Sequence, residues 1–217
     1  MQRSFLEEFD HVQASLLKMG EVVECTIRDA VESLKSHDAD KARAVINSDD
    51  LIDNQQIVIE EGVMGLLSLE TPVSSDLRRI IAFVKIANDL ERVGDYACNI
   101  AEIALELRDE EYIKPLIHIP KLAGISLVML RTSLEAFVNT DSALAEAVCK
   151  KDDEADELCM HIAEELNSLL KRDPSERVIR QAPILLRVAE YLERVSDHAT
   201  NIAEQTIFIA TGKRVKY

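Results

Sequence analysis

The chain writes one thirteen-residue phrase twice. "LERVGDYACNIAE" runs over 90–102 and "LERVSDHATNIAE" over 192–204, with ten identities at an offset of 102. Upstream, "RDAVESLKSHDADKARAVINSDD" (28–50) lies over "RTSLEAFVNTDSALAEAVCKKDD" (131–153) at an offset of 103. One residue is therefore lost between the two regions. Two copies of roughly 100 residues describe a duplication and not a solenoid, which needs three or more short repeats. Any fold proposed for the first half must serve the second.

Each copy reads as three helices, so the expected fold is all-α: two tandem three-helix bundles, six long helices, with bounds 1–110 and 111–217. In copy one Phe5, Phe9, Val12, Leu16, Met19, Val23, Thr26 and Ala30 recur at three-to-four spacing, the period of a helix with one buried face. Asp38 is the expected N-cap of a second helix running to about Leu69. "ETPVSSD" (70–76) is a turn in which Pro72 breaks the helix and Ser74 or Ser75 caps the next, which runs to about Leu107. Copy two repeats the plan: helices over about 119–138, from a cap at Thr140 or Asp141 to Lys171, and on to about Ala210 after the turn "RDPSE". The segment 108–121 joins the copies. Short turns make sequential helices antiparallel neighbours.

The third helix of each copy carries acid where its stripe needs core. Leu77, Val84, Cys98 and Leu105 recur at intervals of seven or fourteen, and the skipped position is Glu91. In copy two Ile179, Leu186, Thr200 and Ile207 skip Glu193. Asp95 and Asp197 follow four residues on, about 6 Å away on the same face. Gly94 and Ser196 are small residues beside them. The preceding helices hold Asp49 with Asp53 and Asp152 with Asp156, again four apart. In an antiparallel hairpin, residues equidistant from the turn lie level. The midpoints of 53 with 91 and of 49 with 95 both fall on residue 72, the turn proline. Those of 156 with 193 and of 152 with 197 fall at 174.5, beside Pro174. Each hairpin thus sets four carboxylates at one level, between axes about 8–10 Å apart.

Such a group resolves its repulsion in one of three ways: raised pKa values, pairing with arginine, or a bound cation. Arg92 and Arg194 lie about 100° round the helix from the glutamates and are expected to point elsewhere. A metal suited to oxygen donors is then the economical solution, against the plainer alternative of a solvated acidic groove. Asn99, Asn201, Asp50 and Asp153 are possible supporting groups around the ligands.

Other chemistry finds little purchase. With 25 basic and 40 acidic residues the net charge is −15, which argues against nucleic-acid binding. The four cysteines form no CxxC pair, and a reducing compartment, the cytosol, is expected. No apolar run approaches 18 residues, so no membrane insertion is expected. Only Glu8 with His11 has the ExxH spacing of which a di-iron oxidase needs two. His37, His118, His161 and His198 have no histidine partner at ligand spacing, and neither a phosphate-cradling glycine loop nor GxSxG is present.

"DDLID", "SSDLRRIIAFVKIANDLERVGDYACNIAE", "DDEAD" and "YLERVSDHATNIAE" together resemble the PhoU family of phosphate-transport regulatory proteins. The resemblance implies that Asp49, Asp53, Glu91, Asp95, Asp152, Asp156, Glu193 and Asp197 form acidic metal clusters, with iron the first candidate and other divalent metals possible. It implies a cytoplasmic, non-catalytic negative regulator and homodimer. Its implied partners are the ATPase subunit of a phosphate ABC transporter and the sensor histidine kinase of a phosphate regulon. The rival readings are a metal-dependent helical-bundle enzyme, either a di-metal oxidase or a phosphohydrolase, and an accessory of an ion-coupled phosphate carrier. "SSDLRRI" has no copy-two counterpart, where "SERVIRQ" stands instead.

Overall fold

The computed structural model describes residues 3–69 and 72–217, and Glu70 and Thr71 of the expected turn lie outside them. The described residues form seven α-helices and no strand: α1 (Arg3–Ser36), α2 (Ala39–Ile46), α3 (Asp49–Leu69), α4 (Ser74–Glu106), α5 (His118–Asn139), α6 (Ser142–Arg172) and α7 (Glu176–Thr211). The architecture is the duplicated bundle read from the sequence, except that the second helix of copy one is two helices.

The break has a local cause. Copy one carries Asn47-Ser48 where copy two carries Lys150-Lys151. Asn and Ser compete for the backbone, whereas Lys is a good helix former. Ser48 Oγ donates to the Val45 carbonyl at 2.6 Å, and the chain turns before α3 begins. The equivalent point of α6 is uninterrupted.

The caps repeat faithfully. Asp38 accepts hydrogen bonds from the backbone of Asp40 and Lys41, and Asp141 does the same for Ala143 and Leu144. Just before each cap the preceding helix ends on a left-handed residue, His37 (φ 57°) and Thr140 (φ 52°). The Asp38 and Asp141 amides then reach back to Ser33 and Ala136, closing the helix ends. At α4 the expected serine cap does not form: Val73 holds the N-cap position without a side-chain bond, and Ser74 is already helical. Leu77 and Ile179, the first members of the third-helix stripes, are exposed. They sit in the opening turns, beyond the reach of the neighbouring helices.

One continuous core runs through both bundles. Phe83 of α4 packs edge-on against Phe9 of α1 (centroids 5.1 Å apart) and Phe137 of α5 (5.6 Å), so one ring ties the halves. α4 and α7 lie side by side along the seam. α5 alone among the described helices is long and apolar enough to cross a membrane, but half of it is buried against its neighbours, as suits a core helix.

The "SSDLRRI" arginines act across the seam. Arg79 donates to Gln13 Oε1 (2.8 Å) and to the Val138 carbonyl near the end of α5. Arg78 reaches the Ile209 carbonyl near the end of α7. Cations at helix C-termini are favoured by the helix dipole. At the equivalent places in copy two, Arg180 pairs with Glu106 and Glu110, while Gln181 bonds the Ile113 amide and the Glu111 carbonyl. "SERVIRQ" therefore fastens the inter-copy connection that follows α4.

Candidate metal centres

The two hairpins build the two centres. In α3–α4, Asp49 and Asp50 open α3, where the positive end of the helix dipole favours carboxylates. Asp53 follows one turn on. Opposite them α4 presents Glu91, Asp95 and Asn99. Gly94 explains how close the helices come. A Cβ there would lie 2.9 Å from Ile52 Cδ1, and Ile52, between Asp49 and Asp53, is fully buried against that gap. The Cys98 thiol donates to Asp49 Oδ1 at 3.4 Å, which places Asp49 directly across from α4. That thiol is pushed up to about 12, first by burial and then by Asp49.

The carboxylates of this first centre repel one another. Partial burial and then the charges of Asp49, Asp95 and Asp50 raise Asp53 above the ordinary aspartate value. Glu91 is raised by burial, then by Asp95, Asp53 and Asp49, against the opposing charge of Arg92. Arg92 departs from the expectation. Its long side chain curls back, with Nη1 3.0 Å from Asp95 Oδ2 and Nε 3.5 Å from Glu91 Oε2. A helical position 100° away does not keep a flexible guanidinium from reaching its own acidic neighbours, and this one does so while largely exposed.

In the second centre, in α6–α7, the arginine makes no close ion pair, though its charge opposes the rise of Glu193 and Asp197. Arg194 turns to Tyr96 across the seam. Asp152 and Asp153 lie within the continuous α6, away from any helix N-terminus. Asp152 is raised to about 6 by burial and then by Asp197 and Asp156. Glu193 is raised to about 7, again by burial first and then Asp197, Asp156 and Asp152. Asp197 is raised by burial and by Asp156. Asp152 Oδ1 and Thr200 Oγ1 are buried with no hydrogen-bond partner. Thr200 lies beside Asp152 and eases its shift, but the pair falls short of hydrogen-bond geometry.

Within each predicted quartet the carboxylates feel one another's charge, but among the described residues no three of them offer ligand atoms within 4.8 Å of one another, and Asp53 and Asp156 are exposed. The surrounding residues divide. Asn99 is half-buried beside Asp95, and Asp50 and Asp153 are exposed. The amide of Asn201 donates to Asp89 Oδ1 at 3.4 Å, away from the second centre. The residues fit a cation. An orphaned buried aspartate oxygen, a glutamate poised near neutrality and mutual repulsion are the condition that positive charge relieves.

Sequence reasoning missed a third constellation. Among the described residues, the set that offers three ligand atoms within 4.8 Å of one another is His118, His161 and Glu165. His118 and His161 do meet, with ring centroids 4.9 Å apart. The i, i+4 pair His161–Glu165 was visible in the sequence; that the connection lays His118 beside it was not.

The PhoU domain model matches the chain twice, at 16–104 and 119–206. A phosphate-specific transport system accessory protein PhoU homolog of Clostridium acetobutylicum is 36% identical over 215 residues, covering 99% of this chain and 97% of its own. The homolog of Aquifex aeolicus is 37% identical over 211 residues, covering 97% and 95%. The crystal structure of PhoU from Pseudomonas aeruginosa superposes with a TM-score of 0.91 at 33% identity, over 96% of this chain and 100% of that one. That of the phosphate transport system regulatory protein PhoU from Streptococcus pneumoniae gives 0.90 at 30% identity, over 98% and 100%.

Proposed function

The chain belongs to the PhoU family, and on that premise we propose that it is a non-catalytic accessory protein of a phosphate-specific transport system, holding metal ions at its two acidic centres. The observation that carries the metal is the mutual charge repulsion within each acidic set, one in each of the units 1–110 and 111–217, together with Asp152 Oδ1, which is buried and unpartnered. Asp49, Asp53, Glu91 and Asp95 hold the ion of the first centre; Asp152, Asp156, Glu193 and Asp197 hold that of the second. The ion supplies positive charge that fastens each helical hairpin. Iron is the first candidate, and other divalent ions that accept oxygen donors suit the same set.

In this reading the protein works at the cytoplasmic face, as a homodimer. It links the ATPase subunit of a phosphate ABC transporter to the sensor histidine kinase of the phosphate regulon and favours repression when phosphate is ample. The support is the family relationship and the names borne by its members. An adaptor needs surfaces and not a reacting group.

Elemental analysis of protein purified without chelator or nickel tests the metal. Glu91→Ala combined with Asp95→Ala should remove the ion of the first centre alone; an unchanged metal count overturns that assignment. Co-purification tests the partners. Recovery with the ATPase subunit and the kinase is expected, whereas recovery with an ion-coupled phosphate carrier and no ATPase subunit overturns it. Saturable phosphatase or ferroxidase turnover above the metal blank would overturn the non-catalytic assignment.

A further inference from the structure

We propose that His118, His161 and Glu165 form a separate site for one divalent transition-metal ion, with zinc the ion that its donor set fits. Two imidazoles and a carboxylate leave at least one coordination position open, a combination suited to zinc, whereas all-oxygen sets suit harder cations. His118 stands in the first turn of α5; His161 and Glu165 lie one turn apart on α6. Their ligand atoms lie within 4.8 Å of one another. A tetrahedral zinc with bonds of about 2.1 Å needs ligands about 3.4 Å apart, so small side-chain rotations close the set.

The surroundings permit entry. His161 is exposed and lines two open clefts of about 530 and 410 Å³. Glu165 Oε2 takes both contacts that hold the cluster, from His118 Nδ1 at 2.8 Å and from Lys114 Nζ. The carboxylate is thereby aimed at the imidazole. Lys114, on the connection before α5, has a long flexible side chain and can leave as a cation arrives, since the site then carries its own positive charge.

The duplication supplies a built-in control. The equivalent places in copy one hold Ser15, Val58 and Gly62, which offer no ligand set. Ser15 and Val58 nonetheless line a cleft of their own, of about 250 Å³. The groove is inherited by both copies, and the donors were placed in only one. The site is thus independent of the paired acidic centres and leaves the two halves unequal.

Zinc titration of the full chain, read by competition with a chromophoric chelator, tests this. A variant with Glu91, Asp95, Glu193 and Asp197 all changed to Ala should keep one tight equivalent of Zn²⁺. Adding His118→Ala and His161→Ala should abolish it, with the helical circular-dichroism signal unchanged. Co²⁺ in place of zinc should give intense visible bands of a low-coordinate nitrogen-ligated site in the wild type and lose them in the double histidine variant. Equal Zn²⁺ stoichiometry with and without the histidines overturns the proposal. Loss of metal from the acidic centres with this equivalent of Zn²⁺ retained supports a separate histidine site and overturns only the acidic-centre assignment.

Discussion

His198 Nδ1 lies 2.8 Å from Asp89 Oδ1, and at the duplicate positions of these two residues Tyr96 stacks on Tyr191 with centroids 5.7 Å apart. The two pairs are duplicates of one another across the seam of α4 and α7. On one side the seam of α4 and α7 is closed by a histidine–carboxylate hydrogen bond, on the other by two phenol rings. Tyr96 also touches His198, so the four residues form one bridge between the halves. Both acidic centres flank it: Asp95 precedes Tyr96 and Asp197 precedes His198.

Breaking that bridge should loosen the halves. Asp89→Ala leaves His198 without its acceptor and should cost about 1–3 kcal/mol. His198→Ala should cost a similar amount, and the double variant less than their sum, because the residues share one interaction. Urea denaturation of chelated protein measures all three. Additive losses would mean that the pair does not couple.

Glu193 sets a pH dependence in the metal-free protein. Its folded value, about 7, lies above the ordinary glutamate value of 4.5. The folded state therefore binds this proton more tightly than the unfolded chain. The associated stability is complete below about pH 4.5 and is lost as pH rises through about 7. Glu193→Gln removes this contribution while that of Asp152 and Asp197 remains, and at pH 8 in EDTA it should be more stable than wild type by about 1–2 kcal/mol, the shift being discounted for partial exposure. Thermal melts at pH 5 and pH 8 read the difference, which should shrink at the lower pH. Because ligating carboxylates must lose their protons, acid should also release metal from the second centre before the first.

The helix junctions offer changes of opposite sign one residue apart. Asp141→Ala removes the side chain that caps α6 and should destabilise by about 1 kcal/mol. Thr140→Gly relieves a left-handed residue with a β-branched side chain and should stabilise by about 1 kcal/mol. His37→Gly should gain less, since its ring stacks on Tyr112 at 4.4 Å. Denaturant midpoints at fixed slope measure each.

Phe83 joins both halves in the core and is fully buried. Phe83→Ala should cost about 3–5 kcal/mol, and Phe83→Leu much less, since the volume is better kept. The same denaturation curves check this. Separate melting of the two halves in the alanine variant would identify Phe83 as the link that makes them unfold together.

What could be read without coordinates was whatever depends on neighbours along the chain. Helical period, the Asp38 and Asp141 caps and the proline turns are local properties. The expected level pairing of Asp53 with Glu91 and of Asp156 with Glu193 is built on them alone, because a short turn leaves an antiparallel hairpin almost no freedom of register. Two local signals were read too smoothly. Asn47-Ser48 interrupts a helix that Lys150-Lys151 continues, and the α4 cap position went to Val73 and not to a serine.

The rest depended on how the helices of different hairpins approach. The duplication announced two like halves but carried no instruction about the angle at which α4 meets α7. The seam packs Phe83, Tyr96 and Tyr191 across long sequence separations, and along it Asp89 meets His198 and Arg194 meets Tyr96. The return of residues 107–117 across α6 likewise puts His118 beside His161 and Glu165. Repeats and periodicity specify what each helix turns inward; side-chain meetings between hairpins are chosen by the summed packing of the whole core, which no short stretch encodes.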